Sequence, residues 1–426
     1  MARHRKRDFS PLVVLSGLTL AAFLIFMIPG EELLSMSVYV GLGLFFASLL
    51  YVKGIKPVDP DFPPSLFWWA FVLKLLSSAV NYWFVAEVYG RGDANRYHTY
   101  GIYVAQYLAN FDFSILQDFG YGSQYTTNMV FLTGLFYTIL PASLSGIFFL
   151  FAGLAFMGSM FFYRAFRLAF STSSPHLFRF GIFFLPSILY WPSSLGKDAW
   201  IFCFSGLIAY GFATYLRQAR LSGLLLVGVG LFLISLIRPH ITFFIGLAIM
   251  GAFFYYLLGS KAVARRTEAL IIGGVLIIGL TFFALRTGFD FFGLERFEQE
   301  EVEAFYDDIQ DRYTGSTGSS FRTASIFEPT GAIQGIITVL FRPFPWEAHN
   351  IPALITSIES VLVVVLLWSR RRLFWSRVVH FRSDPWIIFI ILTSIIMILA
   401  LTAVGNFGLL ARQRVMVLPY FWMLFA

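Results

Sequence analysis

Apolar runs of about 20 residues recur along this 426-residue chain, and that is the length an α-helix needs to cross roughly 30 Å of hydrocarbon. In lipid no water is at hand for the backbone N–H and C=O groups, so such runs fold as helices that bond internally. The runs lie at 11–29, 33–52, 64–89, 127–141, 144–163, 177–193, 199–216, 222–237, 241–258, 268–285, 351–368, 386–404 and 407–426. Hydrophobic residues make up 58% of the chain and charged ones 13%. The expected class is all-α, a polytopic membrane protein with about 12 transmembrane helices plus a re-entrant or interfacial segment. The first run follows Met-Ala-Arg-His-Arg-Lys-Arg, lacks a small-residue cleavage site and is followed almost at once by a second run. It reads as a retained first helix and not as a signal peptide.

The net charge of +7 would point to nucleic acid if the basic residues were spread over a soluble surface. They gather instead in short connections: Lys53/Lys56, Arg164/Arg167, Arg217/Arg220, Lys261/Arg265/Arg266 and Arg370/Arg371/Arg372/Arg377, with the basic N-terminus. Such clusters mark cytoplasmic loops of a multi-pass protein of the cell (plasma or inner) membrane, and no nucleic-acid partner is expected. Between Lys56 and Arg164 the chain must cross an even number of times, yet three apolar runs lie there. The run 127–141, short and ended by Pro141, is therefore expected to be the re-entrant or interfacial piece. Cys203 is the single cysteine and sits in an apolar run, which excludes a disulfide framework and a cysteine-based metal site.

Three regions follow: a transmembrane bundle over 1–285 with an external loop at 90–125, an extracytoplasmic loop over 286–350, and C-terminal transmembrane helices over 351–426. The long loop starts with an acidic stretch at 295–313, passes through Thr-Gly-Ser-Thr-Gly-Ser-Ser and ends in a short apolar run at 331–341 that leads to Arg342, Trp346 and His349. A loop of this length between spans is commonly functional, and a mobile lid over a site is the expectation.

With the basic clusters inside, the external ends carry Asp93 and His98, Lys197 and Asp198, Arg238 and His240, and, late in the chain, Arg342, His349 and Arg412. Ionisable groups beside a bilayer are costly and by default mark a substrate path. Asp93 can act as a general base toward an acceptor hydroxyl, or hold a divalent metal such as Mg or Mn against a phosphate. It can equally cap the helix that follows, on which His98 stands more than one turn away. Asp198 can supply a second carboxylate and Lys197 a point charge for phosphate, although Asp198 also suits the cap of a helix starting at Ala199. Arginine presents a fork of donors to a phosphodiester, which makes Arg238, Arg342 and Arg412 binding candidates, with His240 and His349 beside them. Arg412, inside the last run, is expected to face a cavity or an anion, whereas Arg414 fits a snorkelling role equally well.

These residues resemble a known pattern. Asp93, Tyr97, Gly101, Ala105 and Leu108 are similar to the first external loop of GT-C integral membrane glycosyltransferases, and the stretch from Phe184 to Asp198 is similar to a later proline-containing segment of bacterial members. The resemblance implies an extracytoplasmic active face and a lipid-linked donor, a sugar on polyprenyl phosphate. It implies a glycan, lipid or protein acceptor, the role of base or metal ligand for Asp93, and a supporting role for Asp198. The chain departs from the pattern in having one acid where many members have an adjacent pair, and two spans before the loop where one is usual. Arg238, Arg342, Arg412 and the 286–350 loop also resemble the polymerases and O-antigen ligases of cell-surface polysaccharide clusters. A lipid-linked-sugar transporter or flippase is the competing class, but the halves show no internal repeat and the polar groups gather at one end of the spans.

Overall fold

The structure, a computed structural model, describes residues 30–89, 92–259, 267–293, 303, 306, 310, 321, 330–348, 351–379, 381 and 384–426. The first apolar run, the cluster at Lys261, most of the acidic stretch and the Gly/Ser segment lie outside the described residues. Among those described, every regular element is helical. The chain forms two compact units, Met1–Met157 with Pro192–Ala199, and Gly158–Trp191 with Trp200–Ala426.

In the first unit, α1 (Gly30–Leu50) ends in a π turn over Tyr51–Ile55, and α2 (Pro64–Trp83) runs into a second π turn over Phe84–Tyr89. Helix α2 starts on Pro63–Pro64, where the N–H that proline lacks would have had no helical partner. Next come α3 (Asp93–Ala109), the short α4 (Ile115–Asp118), α5 (Gln124–Ile139) and the first part of α6 (Leu144–Ala169). Helices α3 and α5 run antiparallel and nearly touch. A Cβ on Gly101 would lie 2.7 Å from the Thr133 side chain, and one on Gly134 would lie 2.6 Å from Val104. The core of this unit is aromatic, with Phe156 edge-on to Phe67 and Phe71 at centroid distances of 5.3 and 5.2 Å, a geometry favoured by the ring quadrupoles.

The second unit holds the rest of α6, then α7 (His176–Phe184), α8 (Pro186–Tyr190) and most of α9 (Lys197–Gln218). It continues with α10 (Ser222–Ser235), α11 (Pro239–Gly259), α12 (Thr267–Phe292) and α13 (Gly331–Phe341). The chain ends with α14 (Ile351–Ser369), α15 (Arg371–Val379), α16 (Pro385–Leu401), α17 (Phe407–Arg414) and α18 (Leu418–Trp422). Within this unit α6 and α9 meet backbone to backbone, since a Cβ on Gly206 would stand 2.5 Å from the Gly158 carbonyl oxygen. Small residues at such crossings are how membrane helices gain close packing. The last turns of the chain form its centre: Tyr420 is fully buried and donates to the Ser205 carbonyl at 3.1 Å, and Trp422 Nε1 donates to the Leu177 carbonyl at 3.1 Å.

Among the described residues, six helices are long and apolar enough to cross a membrane: Glu32–Ile55, Pro64–Ala86, Leu144–Ala169, Lys197–Gln218, Pro239–Leu257 and Ile271–Phe292. A seventh candidate is the pair Ala353–Ser369 and Arg371–Val379, bent by 71°. The chain is thus a membrane protein, helical throughout its described regular elements, but these helices do not establish the expected count of about 12 spans. Two expected spans are not single helices. The run 177–193 breaks at Leu185, which takes an extended conformation before Pro186, because proline disfavours the helical region for the residue before it. The run 407–426 divides into helices of 8 and 5 residues ahead of Pro419. The runs 222–237 and 386–404 give helices of 14 and 17 residues.

Candidate functional site

Asp93 is the first residue of α3 and is exposed, while Gly92 takes the N-cap position. The carboxylate is therefore not the cap. It sits in the first turn, where the exposed N–H groups and the helix dipole favour negative charge. His98, five residues on, points about 140° away around the helix, toward α5. Its Nδ1 lies 2.6 Å from the Tyr137 hydroxyl, and Tyr137 donates to the Ser143 carbonyl at 3.2 Å. Ser143 Oγ in turn donates to Glu32 Oε2 at 3.0 Å, which also accepts the Ser145 N–H at 2.9 Å. This network ties α1, α3, α5 and the start of α6 together. Burial holds the His98 pKa below its ordinary value, partly offset by the Glu32 charge. His98 thus serves the net under α5 and does not share the face of Asp93.

Lys197 and Asp198 open α9, also in the first unit. Lys197 Nζ donates to Thr126 Oγ1 of α5 at 3.1 Å, and Asp198 is 3% exposed in the first turn. One residue of this unit escaped the reading of the sequence. Lys74 is buried in the middle of α2, with Ser78 and Asn81 buried one and two turns further along the same face. The signal was there, a lone lysine inside the apolar run 64–89, and an ionisable group in such a run is a functional candidate by default.

In the second unit, Arg342 follows α13 and is already engaged. Its Nε lies 3.0 and 3.1 Å from the two carboxylate oxygens of Glu347, with Nη2 2.5 Å from Oε1. The guanidinium also lies 4.7 Å from the centroid of the Phe321 ring and 4.8 Å from that of Phe407. Arg238 is half-buried in the turn between α10 and α11, and the His240 ring packs on Phe291 at 4.8 Å. Arg412 is half-buried on α17. His349 lies outside the described residues.

The arginine at the centre of this unit is Arg414. It is 1% exposed, and Nη1 donates to the Leu340 carbonyl at 3.0 Å and to Ser360 Oγ at 3.1 Å, with the Arg342 carbonyl at 3.4 Å. Its Nη2 stands 3.9 Å from Glu359 Oε1, and Glu359 Oε2 accepts the Ser187 N–H at 2.7 Å. A buried ion pair thus links α8, α13, α14 and α17. The snorkelling role open to Arg414 in the sequence does not fit this burial.

Asp93, His98, Lys197 and Asp198 belong to the first unit and Arg238, His240, Arg342 and Arg412 to the second. Among the described residues no three His, Cys, Asp or Glu side chains gather as metal ligands. A Mg ion at Asp93 would take the rest of its shell from water and substrate phosphate, as Mg commonly does. Chemically, the first unit presents an exposed carboxylate at the start of α3, and the second a buried cation that fixes backbone carbonyls. Compared with known families, curated proteins and solved structures, the chain matches none.

Proposed function

We propose that this chain is a membrane glycosyltransferase of GT-C type, which moves a sugar from a polyprenyl-phosphate-linked donor to an extracytoplasmic glycan, lipid or protein. The observation that supports the reading is the placement of Asp93. Helices α2 and α6 are long and apolar enough to cross a membrane, the two longer helices between them, α3 and α5, are not among those that are, and the carboxylate stands exposed at the first position of α3. Three residues lie between it and the end of the helical run at Tyr89, a reach of at most about 14 Å. An acid so placed meets a donor whose lipid stays in the bilayer and an acceptor that stays in water.

The Asp93 carboxylate takes the proton of an acceptor hydroxyl as that oxygen bonds to the anomeric carbon. The bond from that carbon to the phosphate oxygen breaks, and the polyprenyl phosphate leaves with the electron pair. Lys197 bonds Thr126 at the start of α5, at the far end of the antiparallel α3–α5 pair from Asp93, so the leaving phosphate is not assigned to it.

Asp93→Asn keeps the shape and removes the basicity. Product glycan or glycolipid per folded protein should fall by about 10²- to 10⁴-fold, with the unfolding temperature unchanged. Full activity of the Asn variant would remove Asp93 from the catalytic role and the proposed reaction with it.

A further inference from the structure

The tyrosines that follow Asp93 have no part in the chemistry above. Arg96, Tyr100, Tyr103 and Tyr107 come after Asp93 at intervals of 3, 4, 3 and 4 residues along α3. That spacing puts them in one line on the helix surface, about 21 Å long. Tyr100 is 36% and Tyr103 42% exposed, and Tyr107 is half-buried. The returning chain holds the rings in place: Tyr100 packs on Tyr121 at 4.8 Å and Phe119 at 5.6 Å, and Phe119 packs on Phe131 at 6.0 Å. Tyr103 and Tyr107 meet at 5.0 Å with their hydroxyls 2.9 Å apart. The contacts are tilted or edge-on, and they fix the rings before any ligand arrives.

We propose that this row is a binding track for a neutral glycan acceptor, leading its hydroxyl end to Asp93. The inference rests on the transferase reading above and names the class of acceptor. A pyranose ring has an apolar C–H face and a rim of hydroxyls, and tyrosine offers the matching combination of a flat apolar body and a polar tip at little entropic cost. Charge decides between occupants. Residues 92–126 carry three acids, Asp93, Asp112 and Asp118, against a single arginine and no lysine. A helix that docks on anionic lipid is rich in Lys and Arg on its polar face, and this surface has the opposite balance. The same sign disfavours an acidic polysaccharide.

The test uses the full chain in nanodiscs and, as probe, oligosaccharides released from the neutral surface polysaccharide of cells that carry it, followed by saturation-transfer NMR. The wild type should bind, and Tyr100→Ala and Tyr103→Ala should each weaken binding about tenfold. Tyr103→Phe should keep most of the affinity, and Asp93→Asn should bind as the wild type does. No binding by the wild type, or unchanged binding by folded alanine variants, overturns the track. A nitroxide at Gln106→Cys in a Cys203→Ala background reads the alternative occupant. Greater access to lipid-dissolved oxygen than to an aqueous nickel chelate would mean that the face lies on the bilayer, which also overturns it. If the tyrosine variants lose binding while Asp93→Asn stays fully active, the track holds and the proposed reaction fails.

Discussion

Arg414 is the last residue of α17 and Glu359 lies mid-way along α14, and each is at most 2% exposed. Removing one member of such a pair leaves an uncompensated buried charge, at a cost of about 3–5 kcal/mol, whereas replacing both by apolar groups of similar volume is often neutral or better. Arg414→Ala should therefore sharply lower the unfolding temperature in detergent, and Arg414→Met combined with Glu359→Leu should restore most of it. Equal stability of Arg414→Ala and wild type would show that the pair holds nothing together. The sequence offered half of this arrangement. Glu359 is the only charged residue in the run 351–368, which is a signal in itself. Arg412 and Arg414 are about 200° apart on a helix, and nothing in the composition around them says which one turns inward. Arg342 shows the same limit from the other side: its sequence context offers it as a phosphate-binding candidate at an external end, but Glu347 and two phenylalanine rings five to sixty-five residues away in sequence surround its guanidinium.

Among the helices, close approach is decided at single glycines. The Gly206 and Gly158 backbones touch, so a methyl on Gly206 would meet a carbonyl oxygen that cannot swing aside, whereas a methyl on Gly153 of the same α6 would meet nothing within 4 Å. Gly206→Ala is expected to destabilise by about 1–3 kcal/mol, and Gly153→Ala to be neutral or to stabilise by about 0.5–1 kcal/mol. Thermal unfolding of the two variants side by side checks the pair, and equal effects would contradict the packing. Element existence was legible where an apolar run had no breaker inside it, as for α6, α9 and α11. It failed at 177–193, where Pro186 divides the run, although Pro186, Pro192 and Gly196 do predict irregular backbone ahead of Lys197. The short run ended by Pro141 does form a helix, α5. Its pairing with α3 through Gly101 and Gly134 was not readable, because glycine in an apolar stretch carries no mark of what it touches.

At the scale of the molecule, contacts inside the second unit sort segments onto common sides. Arg217 is hydrogen-bonded to Asp384, so the end of α9 and the start of α16 share one side. Trp200 Nε1 donates to the Leu233 carbonyl at 2.8 Å, and Tyr306 donates to Thr402 at 3.3 Å. From the alternation of basic clusters along the sequence, the connection at 369–382 is expected in the cytoplasm and the loop at 286–350 outside. In a Cys203→Ala background, a cysteine replacing the exposed Trp346 should react with an impermeant maleimide in intact cells. A cysteine at Arg372 should react only after permeabilisation, and the reverse pattern would invert the topology. The charges give each loop an expected side, whereas they leave the number of crossings open, since a run of 14 or 17 apolar residues is marginal for a bilayer by length alone.

The π turn that closes α2 at Phe84–Tyr89 fits an additional residue into a turn of helix. Each residue of an α-helix sweeps about 100° around its axis, so the last residues of this helix are turned by up to that amount relative to an uninterrupted one. Val88, 50% exposed, stands there. Which side it faces is thus a matter of counting as well as of composition: a chain with one residue fewer in that turn would keep the same apolar run and present its end to a different neighbour.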